Sequence, residues 1–256
     1  MGRIFVFVNQ KGGVGKTTSA VNLGAYLAEA GKTTLLVDFD SQANLTSGVG
    51  AEKSKPGVYE LISGQAGVDE AIRETSVRGL SLIPSGIDLS GAAVELVEQE
   101  QRDLYLKNAL APVRNNYDFI LIDCPPSLGV LTLNGLAAAD SVLIPMQCEY
   151  FAMEGLSLLL QTIRRIQKNL NTRLEIGGIF FTMYDQRTRL AQDVVKEVSA
   201  YFREKIFRTI IPRNVRISEA PSHGLPISQY DPESTGGKAY KSLMEELLIR
   251  YEGGRG

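Results

Sequence analysis

The chain has 256 residues, enough to bury the core of one large domain or two small ones. Its 44% apolar and 22% charged content is close to the globular average. A formal net charge of −2 excludes a global attraction to nucleic acid or anionic lipid, so any such binding must come from a local patch. The two cysteines, Cys124 and Cys148, are too few for a disulfide scaffold and stand at no metal-ligand spacing. Both lie in apolar surroundings and are expected as buried thiols. Met1-Gly2-Arg3 leads into an apolar run without a cleavage signature, and no apolar run approaches the ~18 residues of a membrane span. The expectation is a soluble protein of a reducing cytoplasm.

In chain order, Ile4–Val8 is a short continuous apolar run. The residues from about Lys16 to Ala30 carry a helical pattern closed by Gly31. Apolar, β-rich runs follow at Thr34–Asp38, Leu80–Pro84, Phe119–Asp123, Ser141–Pro145, Ile176–Phe181 and Ile206–Ile211. Helical segments lie among them at Leu89–Leu110, Met153–Asn169 and Leu190–Phe202. Most of the runs are apolar throughout rather than alternating, which suits strands covered on both faces. The repeated strand–helix order predicts an α/β fold, a doubly wound, mainly parallel sheet flanked by helices. Ligands of such sheets sit at the carboxyl ends of the strands. No linker, repeat or low-complexity segment divides the chain, so residues 1–256 are expected to form one domain. The end, KSLMEELLIRYEGGRG, reads as a helix that stops at Gly253-Gly254. Leu243, Leu247, Leu248 and Tyr251 are its core-facing stripe.

Three motifs fall at strand ends. NQKGGVGKTT, Asn9 to Thr18, nearly spells the phosphate-binding loop G-x-x-x-x-G-K-[ST], but Gln10 stands where the first glycine belongs and Lys11 follows it. Gly12, Gly13 and Gly15 allow a tight turn whose N–H groups converge on an anion, and the following helix adds its positive N-terminal end. Lys16 is a cation for the outer phosphates, and the Thr17 hydroxyl can ligate magnesium. Phe119-Ile120-Leu121-Ile122-Asp123 places a carboxylate at a strand end, suited to a magnesium-bound water. In Val37-Asp38-Phe39-Asp40, the two acids would point the same way while the chain stays extended. One could hold metal waters and the other could orient the attacking water.

KGGVGKTT with Lys11, together with DFDSQAN and LIDCPPS, resembles the deviant Walker A group of ParA/MinD ATPases, a branch of the P-loop NTPase fold. Thr182-Met183-Tyr184-Asp185, IPRNVRISEAPSHGLPI (211–227) and YDPESTGGKAY (230–240) resemble the chromosomal ParA, or Soj, branch closely. The resemblance covers nearly the whole chain. It implies a slow ATPase, stimulated by partner and DNA, that uses ATP and Mg2+. It also implies an ATP-dependent homodimer in which Lys11 reaches the partner's nucleotide and Gly12 lies at the interface. Carried over by residue, the nucleotide loop is Lys11, Gly12, Gly13, Val14, Gly15, Lys16, Thr17 and Thr18. Lys11, Lys16 and Asp40 are the catalytic candidates, with Asp40 acting on the hydrolytic water. Thr17, Asp40 and Asp123 are the metal candidates. Asn9 is a candidate for ordering the loop. Adenine recognition falls near Met183 and on Pro212-Arg213-Asn214.

From Asp185 to Lys241 ten Lys/Arg face seven acids, a modest excess that by itself reads as a solvated surface. The resemblance gives it meaning. It implies non-specific binding of double-stranded DNA through Arg189 and Arg216, with Lys238 and Lys241 as lesser contributors. Backbone binding of that kind is salt-sensitive. It further implies a ParB-type centromere-binding partner and a cytoplasmic, nucleoid-associated protein for chromosome or plasmid segregation. A MinD-like membrane ATPase would need a basic amphipathic C-terminal helix, whereas this one carries Glu245 and Glu246, so no stable membrane association is expected. An iron–sulfur relative would need positioned cysteines that are not present. A nucleotide-gated switch with negligible hydrolysis stays open. His223, the only histidine, reads as a structural loop residue.

Overall fold

The computed structural model describes residues 2–150 and 152–252. Its strands are β1 (Arg3–Phe7), β2 (Thr34–Asp38), β3 (Arg73–Glu74), β4 (Leu80–Ile83), β5 (Phe119–Asp123), β6 (Ser141–Gln147) and β7 (Glu175–Thr182). They form one sheet in the order β3-β4-β2-β5-β1-β6-β7. Every pairing is parallel except that of β3 with β4. The described helices are α1 (Lys16–Glu29), α2 (Asn44–Gly48), α3 (Val58–Ile62), α4 (Val68–Ala71), α5 (Leu89–Glu95), α6 (Tyr105–Leu110), α7 (Val130–Ala138), α8 (Ala152–Asn169), α9 (Arg189–Phe202), α10 (Val215–Glu219), α11 (Ile227–Tyr230) and α12 (Thr235–Glu252).

The strands are apolar on both faces because both are covered. Ile4, Val6 and Val8 point to one side, into a core closed by Leu131, Leu156, Ile163 and Val198 from α7, α8 and α9. Phe5 and Phe7 point to the other, into a core closed by Leu23 and Leu27 of α1 and Leu243 and Leu247 of α12. The period-two side-chain alternation of a strand thus feeds two separate cores. The C-terminal stripe lies as expected, with Leu243 and Leu247 buried and Leu248 and Tyr251 packed at the edge. The stop at Gly253-Gly254 lies outside the described residues.

Three expectations are corrected. Ile206–Ile211 is not a strand. Phe207 and Ile211 donate N–H bonds to the Ile179 and Phe181 carbonyls of β7 at 2.8 and 2.9 Å. Between them, however, the Arg208 and Thr209 N–H groups turn to the Glu246 carboxylate on α12 at 2.9 and 3.0 Å, which takes the segment out of the ladder. Leu89–Leu110 is not one helix. Glu98–Asp103 offers no apolar side chain to bury, Gln99 is extended and Gln101 is left-handed at φ 54°. Buried Asn134 serves this break, donating to the Arg102 carbonyl at 2.7 Å and accepting from the Leu106 N–H at 3.2 Å. Finally, Cys124 is buried but Cys148 is only half-buried.

Glu246 is therefore a buried-side acceptor for two main-chain donors, and it also pairs with Arg250 at 2.8 Å. Glu246→Ala is expected to lower stability by about 2 kcal/mol, the scale of hydrogen bonds to a charged group. A denaturant midpoint measures the loss, and the amides of residues 208 and 209 should exchange faster.

Candidate nucleotide site

The loop after β1 is fixed from three directions. Asn9 donates to the Pro145 carbonyl of β6 at 2.8 Å and accepts the Lys11 N–H at 3.0 Å. Thr182, ending β7, donates its hydroxyl to the Val14 carbonyl at 2.8 Å. Gly13 and Gly15 sit at φ 72° and 86°, in the left-handed region that favours glycine. Gly15 is also the N-cap of α1 and brings no side-chain cap, so the first-turn N–H groups are left for an anion. Gly12 is different. A Cβ there would meet only Pro126, at 3.9 Å.

Lys16 is 6% exposed, and its ammonium donates to the Lys11 carbonyl at 3.3 Å. Burial lowers its pKa, while Asp123 and Asp40 pull it back up. The Thr17 hydroxyl donates to Asp123 Oδ2 at 2.6 Å. Asp123 Oδ1 is buried with no hydrogen-bond partner. Burial, with Asp38 beside it, pushes the Asp123 carboxyl well above the usual range against the Thr17 bond.

The two acids of the second motif do not point the same way. β2 ends at Asp38, which turns inward, fully buried. It accepts the Thr46 N–H at 2.8 Å and the Thr46 hydroxyl at 2.6 Å. Burial pushes its carboxyl up to about 6 despite those donors. Asp40 alone of the pair reaches the cavity.

That cavity has a volume of about 690 Å3. Gly12, Gly13, Gly15, Lys16, Thr17 and Thr18 line one end, and Met183, Pro212, Arg213 and Asn214 line another stretch of its wall. The latter segments are joined where Tyr184 bridges Pro212, with Met183 held at φ 48°. The Asn214 side chain caps α10, accepting the Ile217 N–H at 3.2 Å, and donates to Thr235 at 2.8 Å. Val14 is buried and does not line the cavity. Asn22, Gln42, Asn44 and Pro126 also line the cavity. Gln42 and Asn44 belong to DFDSQAN and Pro126 to LIDCPPS, motifs already singled out in the sequence, whereas Asn22 had no signal. Asn22 lies mid-helix and is recruited by the Ile227 N–H, which it accepts at 2.7 Å.

Lys11 lies outside the cavity, exposed and ion-paired with Glu149. Arg189 opens α9, which packs against the opposite sheet face from α10 and α12. Arg216 on α10 pairs with Glu219 at 3.0 Å and Asp231 at 3.4 Å. On α12, Lys238 pairs with Glu233 at 3.2 Å, and Lys241 is exposed. The His223 ring stacks on Tyr230 at 4.9 Å and does not line the cavity. Among the described residues no cluster of His, Cys, Asp and Glu has the makings of a metal centre by itself, and no helix is long and apolar enough to cross a membrane.

A family model described as an AAA domain matches residues 2–176. The chromosome-partitioning ATPase Soj of Treponema pallidum is 64% identical over 250 residues, spanning 98% of both chains. The sporulation initiation inhibitor protein Soj of Bacillus subtilis is 55% identical over 249 residues, 96% of this chain and 98% of its own. Among solved structures, cobyrinic acid a,c-diamide synthase from Mycobacterium smegmatis, with a bound ATP analogue and magnesium, superposes with a TM-score of 0.87. It is 38% identical, covering 100% of this chain and 98% of that one.

The two kinds of loop glycine can be separated by stability. Gly13→Ala puts a Cβ in open space at a left-handed φ and should cost about 1–2 kcal/mol. Gly12→Ala should stay within about 0.5 kcal/mol of the parent. Urea unfolding of both variants checks the contrast.

Proposed function

The chain belongs to the Soj/ParA family of chromosome-partitioning ATPases, and from that membership we propose an ATP-gated cycle of DNA binding and release. ATP and Mg2+ bind in the cavity, two chains close face to face, and the dimer holds double-stranded DNA without sequence preference. A ParB-type partner then stimulates hydrolysis, and the chains separate from each other and from the nucleoid.

The observation that carries this reading is the convergence of Lys16, Thr17 and Asp40 on one cavity, with Asp123 hydrogen-bonded directly behind Thr17. The unpartnered, buried Asp123 Oδ1 fits a cation shell beside Thr17 and Asp40. Thr17, Asp40 and Asp123 would hold magnesium, which would offset negative charge developing on the outer phosphates. Lys16 binds those phosphates, and the N–H groups at the start of α1 point at them. Asp40 orients the attacking water. Met183, Pro212 and Asn214 flank the base.

Lys11 supports the dimer. Its side chain does not line the chain's own cavity but pairs with Glu149. The pair it makes with Glu149 is half exposed on both sides, and such pairs contribute ~0–1 kcal/mol. A partner's triphosphate can therefore displace Glu149. Gly12, which this chain alone does not require to be glycine, would leave room for the approach. Arg189 and Arg216, with Lys238 and Lys241 as lesser contributors, act on DNA from separate elements, and pairing two chains doubles the number of backbone contacts.

The test is a gel shift on unrelated duplexes with no nucleotide, ADP or ATP at two salt concentrations. Binding should require ATP and weaken with salt, and its absence in every state would sink the reading. Asp40→Ala should bind ATP and stay on DNA, with turnover reduced at least about 100-fold; rapid turnover removes Asp40 from its role. Arg189→Glu should keep the ATP dimer by light scattering but lose DNA by about 10-fold or more. Unchanged affinity removes Arg189 from the DNA surface.

A further inference from the structure

Asp38 is fully buried and does not line the cavity, so the roles above leave it unused. Its carboxylate nevertheless holds both sides of the turn that carries Asp40. Oδ1 accepts the Asp40 N–H at 3.3 Å. Oδ2 accepts the Thr46 N–H and hydroxyl from α2, beyond the turn. The Thr46 hydroxyl in turn accepts the Ser85 N–H at 3.1 Å, just past the end of β4. One buried hydroxyl thus joins the ends of β2 and β4 to the first helix after the turn.

The turn itself is strained. The Ala43 N–H closes on the Asp40 carbonyl at 2.9 Å, and Ala43 lies at φ 54°. A non-glycine residue in that region persists only where its surroundings over-determine it. Asp40 is meanwhile only half-buried, and its side chain is met by the Gln42 N–H of the same turn at 3.0 Å. Its position therefore follows that of the turn, and the turn is clasped from beneath by Asp38 and Thr46.

We propose that Thr46 is a positioning residue for ATP hydrolysis, acting through Asp38 to hold the Asp40 turn in a catalytic position. The proposal rests on the reading of Asp40 as the residue that orients the attacking water. Thr46 is buried and does not line the cavity. Its effect should fall on turnover and leave binding alone, because binding depends on the loop after β1.

The experiment compares Thr46→Val, which keeps the shape and removes the hydroxyl, with Thr46→Ser, which keeps the hydroxyl. In the full chain, Thr46→Val should bind ATP within about twofold of the parent and lose about 10- to 100-fold in kcat, the scale of a small displacement of a catalytic group. Thr46→Ser should recover kcat to within about threefold. The double variant Asp40→Ala/Thr46→Val should turn over no more slowly than Asp40→Ala, since both changes act through one group. The proposal is overturned by an unchanged kcat in Thr46→Val. It is overturned equally by loss of ATP binding along with turnover, by a Ser variant as slow as the Val one, or by an additive double variant. Asp40→Ala separates the two levels. Parent-like turnover there removes the role of Asp40, whereas a slow Asp40→Ala beside a fast Thr46→Val removes only the clasp.

Discussion

Phe7, Asp38 and Asp123 are held side by side by the main-chain ladders of three parallel strands. Because those strands run the same way, the loop after β1, the turn after β2 and the acid ending β5 all emerge at one edge and one height. This register is the constraint that the rest of the site depends on. It sets two carboxylates next to each other in a buried setting, where burial pushes both pKa values upward and the neighbouring Asp38 adds to the rise at Asp123. Each is relieved in its own way. Asp38 is met by Thr46 from inside the fold. Asp123 is met on one oxygen by Thr17 and left open on the other. An unpartnered buried carboxylate oxygen is costly, and a site that keeps one beside a phosphate loop is suited to a cation from outside.

The neighbouring segments show how part of the backbone strain gathers at this edge, the rest lying at Gln101 and Arg203. Gly13, Gly15, Ala43 and Met183 all have positive φ, and all belong to the loop, the acidic turn or the wall opposite. Each lies beside a specific hydrogen bond that bridges separate elements: Asn9 to Pro145, Thr182 to Val14, Thr46 to Asp38, and Tyr184 to the Ile211 carbonyl at 3.1 Å. The covered faces of the sheet carry no such irregularity at their centre. Regular packing there provides the rigidity against which a few strained turns can be held.

The central strands were legible because they are apolar on both faces, and the phosphate loop was legible because its glycines, Lys16 and Thr17 are dictated by local geometry. What stayed hidden depends on partners distant in sequence. Ile206–Ile211 has the composition of a strand, yet Glu246, on α12, takes the N–H groups of Arg208 and Thr209. The break inside Leu89–Leu110 is stabilised by Asn134 on α7. Asp38 and Asp40 look equivalent in sequence, and only the donors of Thr46 turn the first one inward. Asn22 reads as an ordinary helical residue until the Ile227 N–H reaches it from the far end of the chain. In each case a side chain captures main-chain groups that local pattern would assign elsewhere.

The same logic explains the irregular start of the phosphate loop. Gln10 replaces the expected first glycine, and the turn that glycine would have eased is instead supported by Asn9, anchored on β6. Asn9 takes the Lys11 N–H, and the Lys11 carbonyl receives Lys16. The Lys11 side chain itself goes toward Glu149 and solvent rather than into its own cavity. A second cation in this loop therefore adds little to the phosphate site of the same chain. The dimer proposed above would bring another triphosphate opposite it. In the proposed dimer that makes the charge of Lys11 a test of the partner's nucleotide: a γ-phosphate competes with one half-exposed carboxylate for the ammonium, and loss of that phosphate returns the lysine to Glu149.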